Sequence, residues 1–382
     1  MGLKIGFISA SPPSDKRASS GTCYKMAKAL GGMGEVIWIP IHPSRVLRFL
    51  ELLSKATARL FRRNISFQFT ELGASLWARR IDTSYFDECD LLFAFWGGNW
   101  LGGVQTKGKP VIYVSDATFQ AMIGYYPPFC KLFDWNIHEG ISIERRSFDK
   151  ASKIVLSSYW AARSAIEHGK QPAEKVVVIE FGANIEDADI RPHHFSYHGH
   201  LDILFLGVEW QRKGGSIAVE ATRWLNENGI EATLHIVGIR MLDEKIAALP
   251  YIDNVGFLNK NRPDEYHRLE EIISQCHLLL LPTVAECAGI AFAEASAYGL
   301  PTFTHYTGGI PSYMENGYNG YMLPLGSTGS EFGEKIKDSL LSGELERMSS
   351  NAVELYRTKL NWHVWGLKMK QVIESLMFEE SE

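Results

Sequence analysis

Short runs that stay apolar on consecutive residues, instead of alternating with polar ones, restrict the fold of this chain more than any other feature. In the first half they fall at residues 4–9, 35–40, 91–95, 111–115, 153–158 and 176–181, rich in β-branched and aromatic side chains and bounded by Gly, Pro or Asp. A strand without alternation is covered on both faces, the situation of a parallel sheet held between helix layers. Longer stretches separate most of the runs, so the spacing predicts a doubly wound α/β domain.

A polar stretch, 185–200, follows Gly182-Ala183-Asn184 and contains Arg191-Pro192, after which the alternation begins again. Runs at 202–206, 233–237, 254–258, 277–281, 301–305 and 320–324, with helical stretches at 214–226 and 288–298, predict a second doubly wound, Rossmann-like domain. The expected organisation is therefore 1–184 as first domain, 185–200 as linker and 201–360 as second domain. Residues 361–382 form a closing helix whose Trp362, Trp365, Leu367, Met369, Val372, Ile373 and Leu376 recur at helical spacing, and it is expected to pack back on the first domain. At 382 residues and 46% apolar content the chain has enough material for two cores.

Several classes of function are disfavoured. A formal charge of −5 is the wrong sign for a nucleic-acid binder, so any basic patch is local. Cys23, Cys89, Cys130, Cys276 and Cys287 are scattered and never spaced CxxC, which argues for a reducing compartment and against a zinc site or disulfide framework. Residues 1–9 read as a first strand and not as a signal peptide, and no apolar run reaches the ~18 residues of a membrane span. A cytoplasmic protein is expected.

The strongest chemical signal is Pro282-Thr283-Val284-Ala285-Glu286-Cys287-Ala288-Gly289, running through Ile290 to Glu294-Ala295 directly after an apolar strand. A turn with one carboxylate and a helix carrying another eight residues later puts two acids at the carboxyl edge of a sheet, where α/β domains bind ligands. If the whole interval were helical, they would lie up to ~12 Å apart, a span suited to two ends of one extended ligand. Gly289 allows close approach to the helix start, whose free N–H groups favour anionic oxygen. The plainer reading makes Glu286 a helix-dipole acid and Glu294 a solvated helix residue.

The second signal is Leu206-Gly207-Val208-Glu209-Trp210-Gln211-Arg212-Lys213-Gly214-Gly215. Paired cations followed by two glycines at a strand-to-helix junction suit a diphosphate, with Lys213 as point charge and Arg212 as fork donor, though solvated loop charges read the same way. Neither the Walker spacing nor GxGxxG is present, which disfavours P-loop and dinucleotide sites.

Together these stretches resemble the family 4 glycosyltransferases, retaining enzymes of the GT-B twin-domain fold. The resemblance also takes in Tyr298-Gly299-Leu300-Pro301, Phe181-Gly182-Ala183-Asn184, Thr307-Gly308-Gly309-Ile310-Pro311 and Asn316-Gly317-Tyr318-Asn319-Gly320-Tyr321. It implies two Rossmann-like domains facing across a cleft, the first on the acceptor side and the second binding a nucleotide diphosphate sugar. Lys213 is then the ligand of the β-phosphate, Glu286 the acid on the sugar hydroxyls and Glu294 the partner of the ribose, while the backbone of Ala288, Gly289 and Ile290 helps hold sugar and diphosphate. The family arginine usually follows the loop's first glycine, where this chain has Val208, so Arg212 is the expected substitute.

In the first domain Gly21, in Ser19-Ser20-Gly21-Thr22, resembles the family's first glycine loop beside the donor phosphate. Where the family often has a histidine, this chain reads Ser115-Asp116-Ala117-Thr118, making Asp116 either an acceptor-side group or a helix N-cap. The resemblance implies a front-face transfer from a UDP- or GDP-type donor to a glycan, lipid-linked or small-molecule acceptor, with no cofactor and no metal; the Asp-x-Asp at Asp187 and Asp189 falls in the linker. A nucleotide-sugar epimerase, or a degenerate sugar-nucleotide-binding regulatory subunit, is the alternative. His138, His168 and His235 are read as structural or surface residues.

Residues 44–63 form one further pattern. Arg45, Arg48, Lys55, Arg59, Arg62 and Arg63 fall within an arc of about 100°, with Val46, Phe49, Leu50, Leu53, Ala56, Leu60 and Phe61 on the other side. Such a helix suits an anionic membrane surface, on the inner face for a cytoplasmic enzyme, and suits equally a core-packed helix with a basic solvent face. The aromatic-rich segments 93–100 and 125–129 are candidate linings of an acceptor groove.

Overall fold

The computed structural model describes the chain except residues 1, 17, 187–189, 191, 193–194 and 380–382, and the side chain of 379. Asp187 and Asp189 therefore lie outside the described residues. The chain divides into two compact units, one of residues 1–180 with 365–382, the other of residues 181–364.

The first unit is a parallel sheet in the order β2-β1-β3-β4-β5-β6, from β1 (Lys4–Ser9), β2 (Glu35–Pro40), β3 (Leu91–Phe95), β4 (Val111–Ser115), β5 (Lys153–Leu156) and β6 (Val176–Val178). Every residue of β3 and β4 is buried, as continuous apolar runs require when helices cover both faces. The helices are α1 (Thr22–Gly31), α2 (Arg45–Leu60), α3 (Glu71–Ala78), α4 (Phe119–Met122), α5 (Asp134–Lys150) and α6 (Tyr159–Glu167). β5 ends before residue 158 because Ser158 turns aside to cap α6, its hydroxyl accepting the N–H of Ala161 at 3.2 Å. The strand order reverses between β1 and β3, since the chain runs from β1 to β2 on one side and crosses to β3 on the other.

The second unit repeats the plan in the order β12-β11-β10-β7-β8-β9, from β7 (His200–Leu206), β8 (Glu231–Val237), β9 (Ile252–Gly256), β10 (Leu278–Leu280), β11 (Thr302–His305) and β12 (Gly320–Leu323). Its helices are α7 (Gly215–Glu227), α8 (Glu244–Ala247), α9 (Pro263–Gln275), α10 (Ile290–Tyr298), α11 (Gly329–Leu341), α12 (Glu344–Thr358) and the start of α13 (Trp362–Glu379). Here the reversal lies between β7 and β10, which pair in parallel through Ile203 with Leu278 and Leu204 with Leu279. His235 is neither isolated nor free: its two ring nitrogens stand 2.9 Å from Asp202 and 2.9 Å from Asp253, tying β7, β8 and β9 together.

From Trp365 onward α13 belongs to the first unit. Trp365 is fully buried, edge-on to Phe93 at 6.4 Å, and Met369, Val372, Ile373 and Leu376 are buried as their spacing predicts. Leu367 is the exception and faces solvent.

On α2 the outcome is sharper. The side set against the protein carries only Leu47 and Ala58 as buried residues, while Val46, Phe49, Leu52, Leu53, Leu60 and Phe61 are exposed, Leu60 by 81%. Core packing is therefore not what the apolar side of this helix does. Phe61 meets Phe133 edge-on at 6.2 Å, and Phe133 stacks on the exposed Trp135, so the apolar surface continues onto the start of α5.

Candidate active site

The two strongest sequence signals meet because β7 and β10 are neighbours at the reversal of the second sheet. Ligand sites of open parallel sheets form at the carboxyl ends of such strands, where the two following loops diverge. The loop after β7 returns sharply into α7. Gly214 is left-handed, φ 74°, and a Cβ there would stand 2.0 Å from the carbonyl oxygen of Pro282; at Gly215 it would stand 2.3 Å from the indole of Trp210. Gly215 thus lets the loop after β7 fold onto its own Trp210, and Gly214 lets the loops after β7 and β10 touch each other. The same contact buries Lys213, whose backbone N–H donates to Glu209 O at 2.9 Å.

Glu286 is the meeting point. Lys213 Nζ donates to Glu286 Oε2, and Arg212 Nη1 stands 3.5 Å from the same oxygen while donating to Ala285 O at 2.8 Å. Arg212 also pairs with Glu209 through Nε. Thr283 locks the two loops, its hydroxyl donating to Arg212 O at 3.1 Å. Arg212, Lys213 and Glu286 are largely buried, and with the half-exposed Glu209 they make a cluster of two cations and two carboxylates, in which an anionic ligand would compete with the carboxylates for the cations. Val208, at the family arginine's position, is exposed, whereas Arg212 is in the cluster.

The interval from Glu286 to Glu294 is not helical throughout. α10 begins at Ile290, with Gly289 as N-cap and no side-chain cap on its first N–H groups. The glycine at 289 answers first to a protein neighbour: a Cβ would come 2.5 Å from the ring of Tyr313, whose hydroxyl accepts the N–H of Phe181 at 2.9 Å. Glu294 is buried, not solvated, and accepts from Lys260 Nζ at 2.7 Å. Lys260 has no motif of its own; the signal that would have found it is its place in the loop after β9, on the same sheet edge. Gly309 N–H donates to Glu286 O at 3.0 Å, adding the Thr307-Gly308-Gly309 loop to the site's frame.

The first-unit candidates occupy its own carboxyl edge. Gly21, φ 96°, opens α1 after two further left-handed residues, Ser19 and Ser20. Asp116 follows β4 but does not cap a helix. Thr118 does, its hydroxyl accepting from Ala121 N at 3.0 Å. The segment is pinned from behind by Glu144, a buried carboxyl on α5 that receives the N–H of Phe119 at 2.7 Å. Burial pushes the Glu144 carboxyl up to about 8, against the backbone donors that favour its charge.

Residues 186–355 match the family model described as glycosyl transferases group 1. The chain is 24% identical over 218 residues to the amylovoran biosynthesis glycosyltransferase AmsK of Erwinia amylovora, covering 54% of this chain and 52% of that protein. It spans about half the length of the curated relatives it matches. Among solved structures, the sucrose-phosphate synthase of Thermosynechococcus elongatus has a TM-score of 0.71 at 13% identity, covering 99% of this chain and all of that one. Anabaena Alr3699/HepE, solved in complex with UDP, has a TM-score of 0.64 at 16% identity, covering 98% of this chain and all of that one. The fold is that of GT-B glycosyltransferases.

Proposed function

We propose that this protein is a glycosyltransferase that moves a sugar from a UDP- or GDP-type nucleotide diphosphate sugar to a glycan, lipid-linked or small-molecule acceptor, with retention of anomeric configuration and without a metal. The observation that carries the reading is the Lys213–Glu286–Arg212 cluster at the β7/β10 reversal, beside the uncapped start of α10. In the reaction the bond from anomeric carbon to phosphate oxygen breaks while the acceptor oxygen attacks the same face, and the acceptor's proton passes to the leaving phosphate. Lys213 and Arg212 stabilise the charge gathering on that phosphate. Glu286, released from Lys213 by the incoming anion, orients sugar hydroxyls, and Glu294, steadied by Lys260, takes the ribose. Holding both substrates in register supplies much of the remaining acceleration.

A nucleotide-sugar epimerase, the alternative on this fold, needs no acceptor and is separated from the transferase by product analysis; a regulatory subunit would bind donor without turnover. Thermal shift against a panel of nucleotides and nucleotide sugars is the test, since a ligand of the native state raises its stability as RT ln(1 + [L]/Kd). A selective shift with one diphosphate sugar, lost in Lys213→Ala, supports the reading; no shift with any member of the panel refutes it.

The proposed place of action is an anionic membrane surface, reached through α2. The exposed apolar side and its basic shoulder of Arg45, Arg48, Lys55, Arg59 and Arg62 support this reading over a solvent-facing helix. Among the described residues no helix is long and apolar enough to cross a membrane.

A further inference from the structure

Trp96 follows β3 directly and has left-handed backbone, φ 53°. A bulky residue there is strained where glycine would not be. Two glycines come next, Gly97 and Gly98, yet neither takes the positive φ, so the strain sits on the tryptophan. The indole lies on the ring of Phe95, centroids 4.7 Å apart and planes within 18°, and Phe95 in turn stacks on Phe7. Phe95 is buried whereas Trp96 is 42% exposed, so one face of the indole is backed by a rigid aromatic column and the rest is open. The position is the centre of the first sheet's carboxyl edge: β3 stands between β1 and β4, and β1/β3 is where the strand order reverses. The loops that flank Trp96 are the one ending at Gly21 and the one carrying Asp116.

We infer that Trp96 is a stacking platform for a pyranose ring of the acceptor, taking the sugar's C–H face on its open side while polar groups of the flanking loops meet the hydroxyls. A left-handed position held by a tryptophan where glycine would make the same turn without strain, at a strand-order reversal, marks a side chain kept for a ligand. The inference rests on the glycosyltransferase reading for the identity of the ligand as a sugar, but Trp96 belongs to the first unit and its test is independent of the donor site.

The test is saturation-transfer NMR of the full chain with methyl α-D-glucopyranoside, methyl β-D-galactopyranoside and N-acetylglucosamine, on wild type, Trp96→Ala and Trp96→Phe, with UDP and GDP thermal shifts run in parallel. Expected is a saturable signal for at least one glycoside, weakened about fivefold or more by Trp96→Ala and largely kept by Trp96→Phe, as loss and retention of an aromatic face predict. The diphosphate shift should be the same in all three proteins. Equal glycoside binding by wild type and Trp96→Ala, or no saturable signal in wild type, overturns the platform. A diphosphate shift absent from every protein while the glycoside signal depends on Trp96 refutes the donor reading and leaves the platform standing.

Discussion

Replacing Phe49 and Leu53 together by serine should detach the protein from anionic vesicles while leaving its fold intact. Both side chains lie on the apolar side of α2, 63% and 47% exposed, so little native packing is lost, and changes at such surface positions stay within about 0.5 kcal/mol. Complete burial of a Phe or Leu side chain is worth roughly 1.5–3 kcal/mol. Since about half of each is already covered by the protein, inserting the remainder into a bilayer interface contributes roughly 1 kcal/mol or more per side chain. The pair then contributes at least about 2 kcal/mol, a fall of about 30-fold in partitioning at ~1.4 kcal/mol per decade. Charge adds a second, separable component: reversing Arg48 and Lys55 to glutamate removes two cations worth about 1 kcal/mol each near an anionic surface and adds repulsion. Sedimentation with phosphatidylglycerol-containing and pure phosphatidylcholine vesicles, at low and high salt, reads both. Undiminished binding of both variants to anionic vesicles, with unchanged melting temperatures, would falsify the reasoning.

Four further outcomes are expected. Lys213→Ala and Glu286→Gln should each lower turnover by about 100-fold or more, as loss of one charge-stabilising or orienting group does, checked by donor-consumption assay against matched melting curves. Gly214→Ala should destabilise by about 2–4 kcal/mol, because φ 74° penalises any side chain and Pro282 O stands 2.0 Å from the new Cβ; denaturant unfolding measures it. Lys260→Met leaves the buried Glu294 carboxylate without its cation, and donor affinity should weaken about tenfold or more with little change in turnover at saturating donor. Glu144 is lifted to about 8 in the fold, so the folded state holds its proton more tightly than the unfolded chain does, and its contribution to stability is present below about pH 4.5 and lost as pH rises towards 8. Melting temperatures of Glu144→Gln should therefore fall less than those of wild type between pH 5 and 8, and parallel curves would sink the assignment.

Both sheets were legible in the sequence because buried parallel strands leave uninterrupted apolar runs, of which Leu91–Phe95 is one with the same bounds in sequence and fold. Glu286 and Lys213 were legible as local motifs, but their contact was not: they are 73 residues apart and meet only because β7 and β10 are neighbours. Lys260 was invisible for the same reason, being a lone lysine until the β9 edge brings it to Glu294. The reasons for the glycines at 214 and 289 were also hidden, since Pro282 and Tyr313 come from elsewhere in the chain. The pattern on α2 gave both the arc of bases and the apolar side, but periodicity states only that a helix has two sides. Which side the protein covers is a tertiary fact, and here the covered side is the narrow one of Leu47 and Ala58.

The chain's first unit borrows its last residues. Trp365, Met369 and Ile373 are core side chains of a unit whose other residues all lie before 181, so an emerging polypeptide exposes an unfilled aromatic slot over Phe93 throughout the synthesis of the intervening 184 residues. During translation the second unit is complete in sequence before the first can close, which reverses the usual order in which the leading domain matures first. A nascent chain arrested at residue 360 would present the first unit open to chaperones or proteases, and release of the closing helix would seal it.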